Sequence, residues 1–255
     1  MSSTQAPGDH FSTISARYSA FRPRYPRALF EFVSSIAPRH RLAWDCGAGT
    51  GQATVDLAEF FDAVVGTDVS AEQIACAPAH PKITWVAAPA ESTPLASGSV
   101  DAITVAQALH WFDHARFNAE VRRVAAPEAA IVAWTYTVPR MGGRAGDLLR
   151  RFMLETLAAY WPPERRHVDE EYRSIPFPFE RTPAPPLALE ERWTLAHVVG
   201  YLRTWSATTR YIAAHGIDPV VAVERELREL WGDATELRRI TWPLIVLAGH
   251  VGPRA

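Results

Sequence analysis

At 255 residues, nearly half of them apolar, the chain is long enough for one large α/β domain or a core with a lid. A formal net charge of −2 and the lack of a long basic run argue against nucleic acid as the main partner, because phosphate binding leaves a basic stripe. Cys46 and Cys76 make neither a disulfide framework nor a zinc-ligand spacing, residues 1–10 hold no apolar signal core, and no apolar run reaches membrane-spanning length; the expectation is a cytoplasmic protein, monomer or homodimer, with no metal and no membrane partner.

In chain order, residues 1–10 read as a disordered tail. A helix is predicted from about Pro26 to Ile36, with Pro26 suited to a first turn. Leu42-Ala43-Trp44 is a short apolar run that ends in Asp45. It is followed by Gly47-Ala48-Gly49-Thr50-Gly51, the pattern of strand, glycine turn and helix, with the helix predicted to reach about Phe61. Ala63–Asp68 is a second strand, again ending in an acid. Ser70 and Gln73 then make a capping pattern that opens the next helix. Ile83–Val86, Ala102–Val105 and Ala130–Trp134 are further strands. Phe117, Val121 and Val124 share one helical face between the last two.

Strands that alternate with helices, and read as continuous apolar runs, imply a parallel sheet covered on both faces. The predicted fold is a Rossmann-like, doubly wound, mostly parallel seven-stranded sheet with added C-terminal lid helices; residues 11–136 form its core, with an N-terminal capping helix, and residues 237–255 supply the final strand and a tail. After Thr135 the alternation breaks. Helical stripes at Leu149–Leu157, Val198–Trp205 and Val223–Trp231 are read as packing faces of lid helices in a region 137–236, which includes a strand near 187–194. Pro162–Pro186 reads as an irregular wrapping loop. Ile240–Val246 is a last strand, with Pro243 at an edge or its mouth.

The turn Asp45–Gly51 lets backbone approach a ligand closely and turns a helix N-terminus toward it. It is not a dinucleotide fingerprint: Gln52 stands where the third glycine of G-x-G-x-x-G would fall. Asp45, just ahead of the glycines, would repel a pyrophosphate but suits a ligand with a nearby ammonium. Asp68, about 23 residues on, suits a ribose diol. Together they describe a ligand with an ammonium, a carboxylate and a ribose, which S-adenosylmethionine (SAM) fits and NAD fits poorly.

On these residues the chain resembles the class I SAM-dependent methyltransferases. Asp45–Gly51 resembles their first motif and Asp68 their ribose-binding acid. Pro89-Ala90-Glu91 with Pro94-Leu95 resembles the segment after their third strand, and Ser99–Phe112 their fourth strand and loop. Tyr18–Pro26 resembles the opening of the type 11 branch that includes the trans-aconitate methyltransferases. The resemblance covers about residues 10–136. It implies that Gly47, Ala48, Gly49, Gly51 and Gln52 line the methionine part and that Asp45 holds the ammonium side through water. Asp68, Val69 and Ser70 would serve ribose and adenine, Ala90 and Glu91 the adenine edge, and Gln107 and Ala108 the methionine tail. Pro89 stands where many relatives carry an Asp for the adenine amine, so backbone carbonyls or Glu91 would substitute.

The resemblance further implies methyl transfer to a small molecule, giving S-adenosylhomocysteine, with O-methylation of a carboxylate as the first form and a hydroxyl or nitrogen as the second. A carboxylate is already ionised and needs no base, whereas a hydroxyl or amine would use one such as His110. His110 stands as base, as substrate contact or as a structural loop histidine. Tyr18, Arg22, Arg24 and Trp111 are candidate substrate contacts, Arg22 and Arg24 as carboxylate forks; surface arginines and core aromatics are the plainer alternatives. Arg210 and Tyr211 are weaker candidates of the same kind. Cys46 reads as a small buried hydrophobe. Two rivals stand beside this reading: a SAM-binding protein without catalysis, and an NAD-dependent oxidoreductase.

Overall fold

A computed structural model describes residues 21–252. By contact the chain divides into two units. One comprises Tyr25–Tyr136, His167–Leu187 and residues 244–252; the other comprises residues 21–24, Thr137–Arg166 and Ala188–Pro243.

The first unit is built on parallel strands β1 (Leu42–Cys46), β2 (Ala63–Asp68), β3 (Ile83–Ala87), β4 (Val100–Ala106) and β5 (Ala125–Tyr136). Helices α1 (Arg27–Ile36), α2 (Gln52–Leu57), α3 (Ala71–Ala75) and α4 (His114–Val124) connect them. The antiparallel strand β8 (Arg238–His250) pairs Leu244–His250 with β5, and the two-residue β6 (Glu180–Arg181) lies on its far side. The sheet order is β3-β2-β1-β4-β5-β8-β6. The chain therefore winds outward from β1 to β3, then returns to β4 on the other side of β1. That reversal opens a crevice at the C-terminal ends of β1 and β4, where ligands of such sheets bind.

Both sheet faces are covered because successive strand residues point to opposite sides. Ala43, Ala102, Val132 and Trp134 join Leu29, Phe30, Val33, Leu57 and Phe61 in one core. Their neighbours Trp44, Ile103, Ile131 and Ala133 join Phe117, Val121, Tyr172 and Phe179 in the other. The stripe Phe117, Val121 and Val124 is the buried face of α4, capped by the Asp113 side chain, which accepts from Arg116 N–H. Helix α2 ends at Leu57, short of Phe61, and Ala58–Asp62 turns toward β2; Phe61 is still fully covered.

The second unit holds β7 (Ala188–Trp193) and helices α5 (Gly143–Arg151), α6 (Arg165–Asp169, in part), α7 (Leu195–Arg203), α8 (Ser206–His215) and α9 (Val220–Trp231). A π-helical turn, Phe152–Thr156, extends α5. Its core is aromatic: Trp193, Tyr201, Trp205 and Trp242 meet edge to face or tilted.

The expected seven strands become eight: the added one is the two-residue β6, which pairs with His250 and Gly249 at the end of β8. β8 itself changes partner along its length: residues 244–250 pair with β5, and Arg238–Pro243 take β7 as an antiparallel partner, off the main path. The strand near 187–194 is thus a neighbour of β8, and Pro243 marks the change of partner. Among the described residues no helix is long and apolar enough to cross a membrane.

Candidate functional site

Five parallel strands bring Asp45, Asp68, the segment after Ala87, Gln107 and Thr135 to the same edge of the sheet. Residues far apart in the chain therefore meet without any loop having to carry them there.

The glycine turn works by shape. Gly47, Gly49 and Gly51 all have positive φ, at 71°, 58° and 88°, a region costly for side chains with a Cβ. A Cβ on Gly47 would lie 2.5 Å from Ala108 Cβ, and one on Gly51 would lie 2.3 Å from the Trp85 ring. The turn's amides are largely committed inside the protein. Gly47 and Ala48 N–H donate to the Thr67 carbonyl at 2.8 and 2.9 Å, Gly51 N–H to the Ala48 carbonyl at 2.9 Å, and Gly49 N–H to Asp68 Oδ2 at 2.8 Å. A turn whose donors are spent makes a poor pyrophosphate cradle, which argues physically against a dinucleotide.

Asp45 is fully covered. Its carboxylate accepts from Thr54 Oγ1 at 2.5 Å and from Thr104 Oγ1 at 2.8 Å. Burial pushes its pKa up to about 6; the two hydroxyls pull it down and the nearby Asp68 charge adds to the rise. A covered, charged carboxylate acts on a ligand by its field or through an intervening group. Asp68 is nearly covered: Oδ2 holds Gly49 and Oδ1 accepts from Ser70 N–H at 2.9 Å. Ser70 also caps α3, accepting from Gln73 N–H. Val69 beside it is 79% exposed, an apolar surface with little protein on it.

Ala90 is buried, and Glu91 Oε1 accepts from Asp113 N–H at 2.9 Å. Gln52 opens α2 behind the turn and Ala108 is buried against Gly47. Gln107 takes an αL backbone (φ 56°) as β4 ends. Its Oε1 accepts from Thr135 Oγ1 at 2.8 Å, while Nε2 is buried without a partner. An orphaned buried donor calls for an acceptor, and a carboxylate would supply one. His110 lies on a 3₁₀ turn, Leu109–Trp111, with Nδ1 3.1 Å from the Tyr172 hydroxyl. Trp111 is 53% exposed.

Arg22 and Arg24 fall in the other unit. Arg22 Nη2 donates to the Thr204 carbonyl at 3.2 Å, and its guanidinium lies over the Tyr201 ring. Arg24 N–H donates to Glu191. Tyr18 lies outside the described residues. Arg210 and Tyr211 lie on α8, Tyr211 packed against Tyr160 and His215. Cys46 is buried, and burial raises its thiol well above the usual range.

Sequence reasoning missed Thr54, Thr104, Thr135 and Tyr172. The threonines had a signal: a polar residue within a fully covered strand or helix needs a partner. Tyr172 had none.

Three acids or amides around a glycine cradle, with an orphaned donor and an exposed apolar neighbour, fit a cationic amino-acid nucleoside such as SAM. The comparisons agree. Residues 44–133 match the methyltransferase domain family. A Dictyostelium discoideum protein provisionally assigned as a methyltransferase is 35% identical, with 86% of this chain and 85% of the relative covered. A solved structure from Anaeromyxobacter dehalogenans, provisionally assigned as a type II methyltransferase, is 46% identical, with 91% and 99% covered and a TM-score of 0.86. A Saccharomyces cerevisiae protein described as a SAM-dependent methyltransferase is 29% identical over 49% of this chain and 46% of its own.

Proposed function

The chain belongs to the class I SAM-dependent methyltransferases, and from that premise we propose that it methylates a small molecule, using SAM held at the C-terminal ends of β1, β2 and β4. The observation that carries this reading is the glycine turn with its amides spent internally, set between two acids and the orphaned donor of Gln107. That combination suits a ligand with positive charge and a carboxylate better than one with phosphates.

SAM supplies a methyl group already activated by its sulfonium. The protein's part is to bind, to orient and to exclude water. Gly47 and Gly51 let the turn pack against Ala108 and the Trp85 ring, which sets the backbone along which the methionine chain would lie. Gln107 Nε2 donates to its carboxylate, and the field of Asp45 favours its cationic end. Asp68 accepts from the ribose hydroxyls, with Val69 against the adenine and Ala90 and Glu91 at its edge. Bound SAM would supply the methyl group to an acceptor atom, leaving S-adenosylhomocysteine with the sulfur electron pair. Any acceptor proton goes to a base.

O-methylation of a small carboxylate is the first form of the acceptor reading, resting on the Tyr18–Pro26 resemblance. Methylation of a hydroxyl or nitrogen is the second, and the placement of His110 favours it. Both forms assume a cytoplasmic enzyme, in keeping with two free cysteines. Methyl-labelled SAM incubated with a panel of small carboxylic acids, phenols, alcohols and amines tests the proposal. Label in a methyl ester supports the first form; label only in ethers or methylamines replaces it with the second. SAM binding with no label in any class points to the non-catalytic alternative.

A further inference from the structure

Among the described residues of the first unit, only two large apolar side chains stand exposed, Val69 and Trp111. Both follow a parallel strand at its C-terminal end, Val69 after β2 and Trp111 after β4. Those strands flank β1 and its glycine turn, so the two surfaces border the crevice from opposite sides. Leaving half of an indole in water carries a cost that a bound molecule would recover. The turn that carries Trp111 is fastened from beneath. Ala108 lies against Gly47, Leu109 is buried, and Phe112 packs on Phe117 with ring centroids 5.0 Å apart. Trp111 N–H donates to the Ala108 carbonyl at 2.9 Å. His110 lies alongside, its ring 5.0 Å from that of Trp111 and tilted by 42°, with Nδ1 hydrogen-bonded to the Tyr172 hydroxyl. The result is two flat rings side by side on a short, anchored turn at the edge of the sheet.

We infer that the exposed face of Trp111 is the stacking platform of the methyl acceptor, and that the acceptor is a planar aromatic molecule, whichever of its carboxylate, hydroxyl or nitrogen atoms takes the methyl. The inference rests on the methyltransferase reading and narrows its substrate class. With Val69 serving the adenine on the β2 side, the β4 side falls to the acceptor. A flat ring gains offset stacking on the indole in addition to buried area, whereas a saturated molecule of the same size gains area alone. A cationic acceptor would also use an indole face, but it is held best with a carboxylate beside it. The acids that border the turn are engaged by backbone amides: Glu91 accepts from Asp113 N–H and Asp113 from Arg116 N–H.

The test is NMR of the full chain with labelled tryptophan and saturating S-adenosylhomocysteine, the Trp111 indole signal being assigned from Trp111→Phe. The probes are naphthol and its saturated counterpart decahydronaphthol, alike in size and in their hydroxyl. Naphthol should shift the Trp111 signal saturably and bind about tenfold more tightly than decahydronaphthol. Trp111→Leu should remove that preference, and Trp111→Tyr should keep most of it. Calorimetry should find the S-adenosylhomocysteine affinity of Trp111→Leu unchanged, which also shows the variant folded. A Trp111 signal that naphthol does not move, equal binding of the two probes, or a preference indifferent to Trp111→Leu overturns the inference. So does a Trp111→Leu variant that loses S-adenosylhomocysteine instead, because the ring would then be a wall of the cofactor site. A wild type that binds no S-adenosylhomocysteine fails the methyltransferase reading, and this inference with it; one that binds it and shows no aromatic preference fails this inference alone.

Discussion

Asp45 should make the free protein less stable at neutral pH than it would be with an asparagine there. In the unfolded chain this carboxyl ionises near the ordinary aspartate value of 3.8; burial carries it to about 6 in the folded one. Between those values the folded state binds more protons, so its stability falls as pH rises through the window. The full difference, roughly two pK units, corresponds to about 3 kcal/mol. Asp45→Asn keeps the shape and one acceptor for Thr54 or Thr104 but cannot ionise. It should match the wild type near pH 4, exceed it by about half of that 3 kcal/mol near pH 5, and reach the full gain above pH 7. In a chain of this size the last figure is a rise in Tm of roughly 5–10 °C. The same variant should bind SAM more weakly, since the field that destabilises the fold attracts the ligand's positive charge. Urea unfolding of both proteins from pH 4 to 8 is the assay. A stability difference that does not grow with pH, or an asparagine variant less stable at pH 7, would refute the reasoning.

Other perturbations separate shape, charge and surface. Gly51→Ala forces a Cβ into the Trp85 ring at φ 88°; it should cost about 2 kcal/mol or more in urea unfolding and lower SAM affinity. Asp101 is fully buried, and the cost of burying it is more than offset by hydrogen bonds from Arg39 and from the amides of Arg41 and Leu42, holding its pKa below the ordinary value. Its contribution is therefore present at neutral pH and lost as pH falls through the folded pKa. Asp101→Ala should cost about 2 kcal/mol at pH 7, and much less in acid, when urea midpoints are compared. Val69→Ser, at an exposed position, should leave Tm unchanged and weaken SAM and S-adenosylhomocysteine alike in a calorimeter.

The sheet was legible in the sequence where local pattern and tertiary demand coincide. Leu42–Gly51 reads as strand, turn and helix because an apolar run, a terminal acid and spaced glycines all serve one geometry. Ala63–Asp68 repeats the signal. Thr54 and Thr104 were less legible: each is an ordinary residue in an apolar run, and its purpose appears only when the fold brings it against Asp45. Tyr172 lies in a proline-rich stretch without periodicity. Its place beside His110 depends on a long-range contact and an αL backbone that no residue type there advertises. The eighth strand, Glu180–Arg181, was hidden for a similar reason: it is two residues long, lies in the same proline-rich stretch, and exists only as a long-range pairing with Gly249 and His250. Residues 238–250 likewise show where a strand lies, but not that its two halves take different partners.

The central claim is that this sheet edge binds SAM. Calorimetric titration of the wild type and Asp68→Ala with SAM, S-adenosylhomocysteine and NAD tests it most directly. The account predicts that the wild type binds the first two and not NAD, and that Asp68→Ala binds both far more weakly. A folded wild type that ignores SAM, or that binds NAD in its place, would contradict the account.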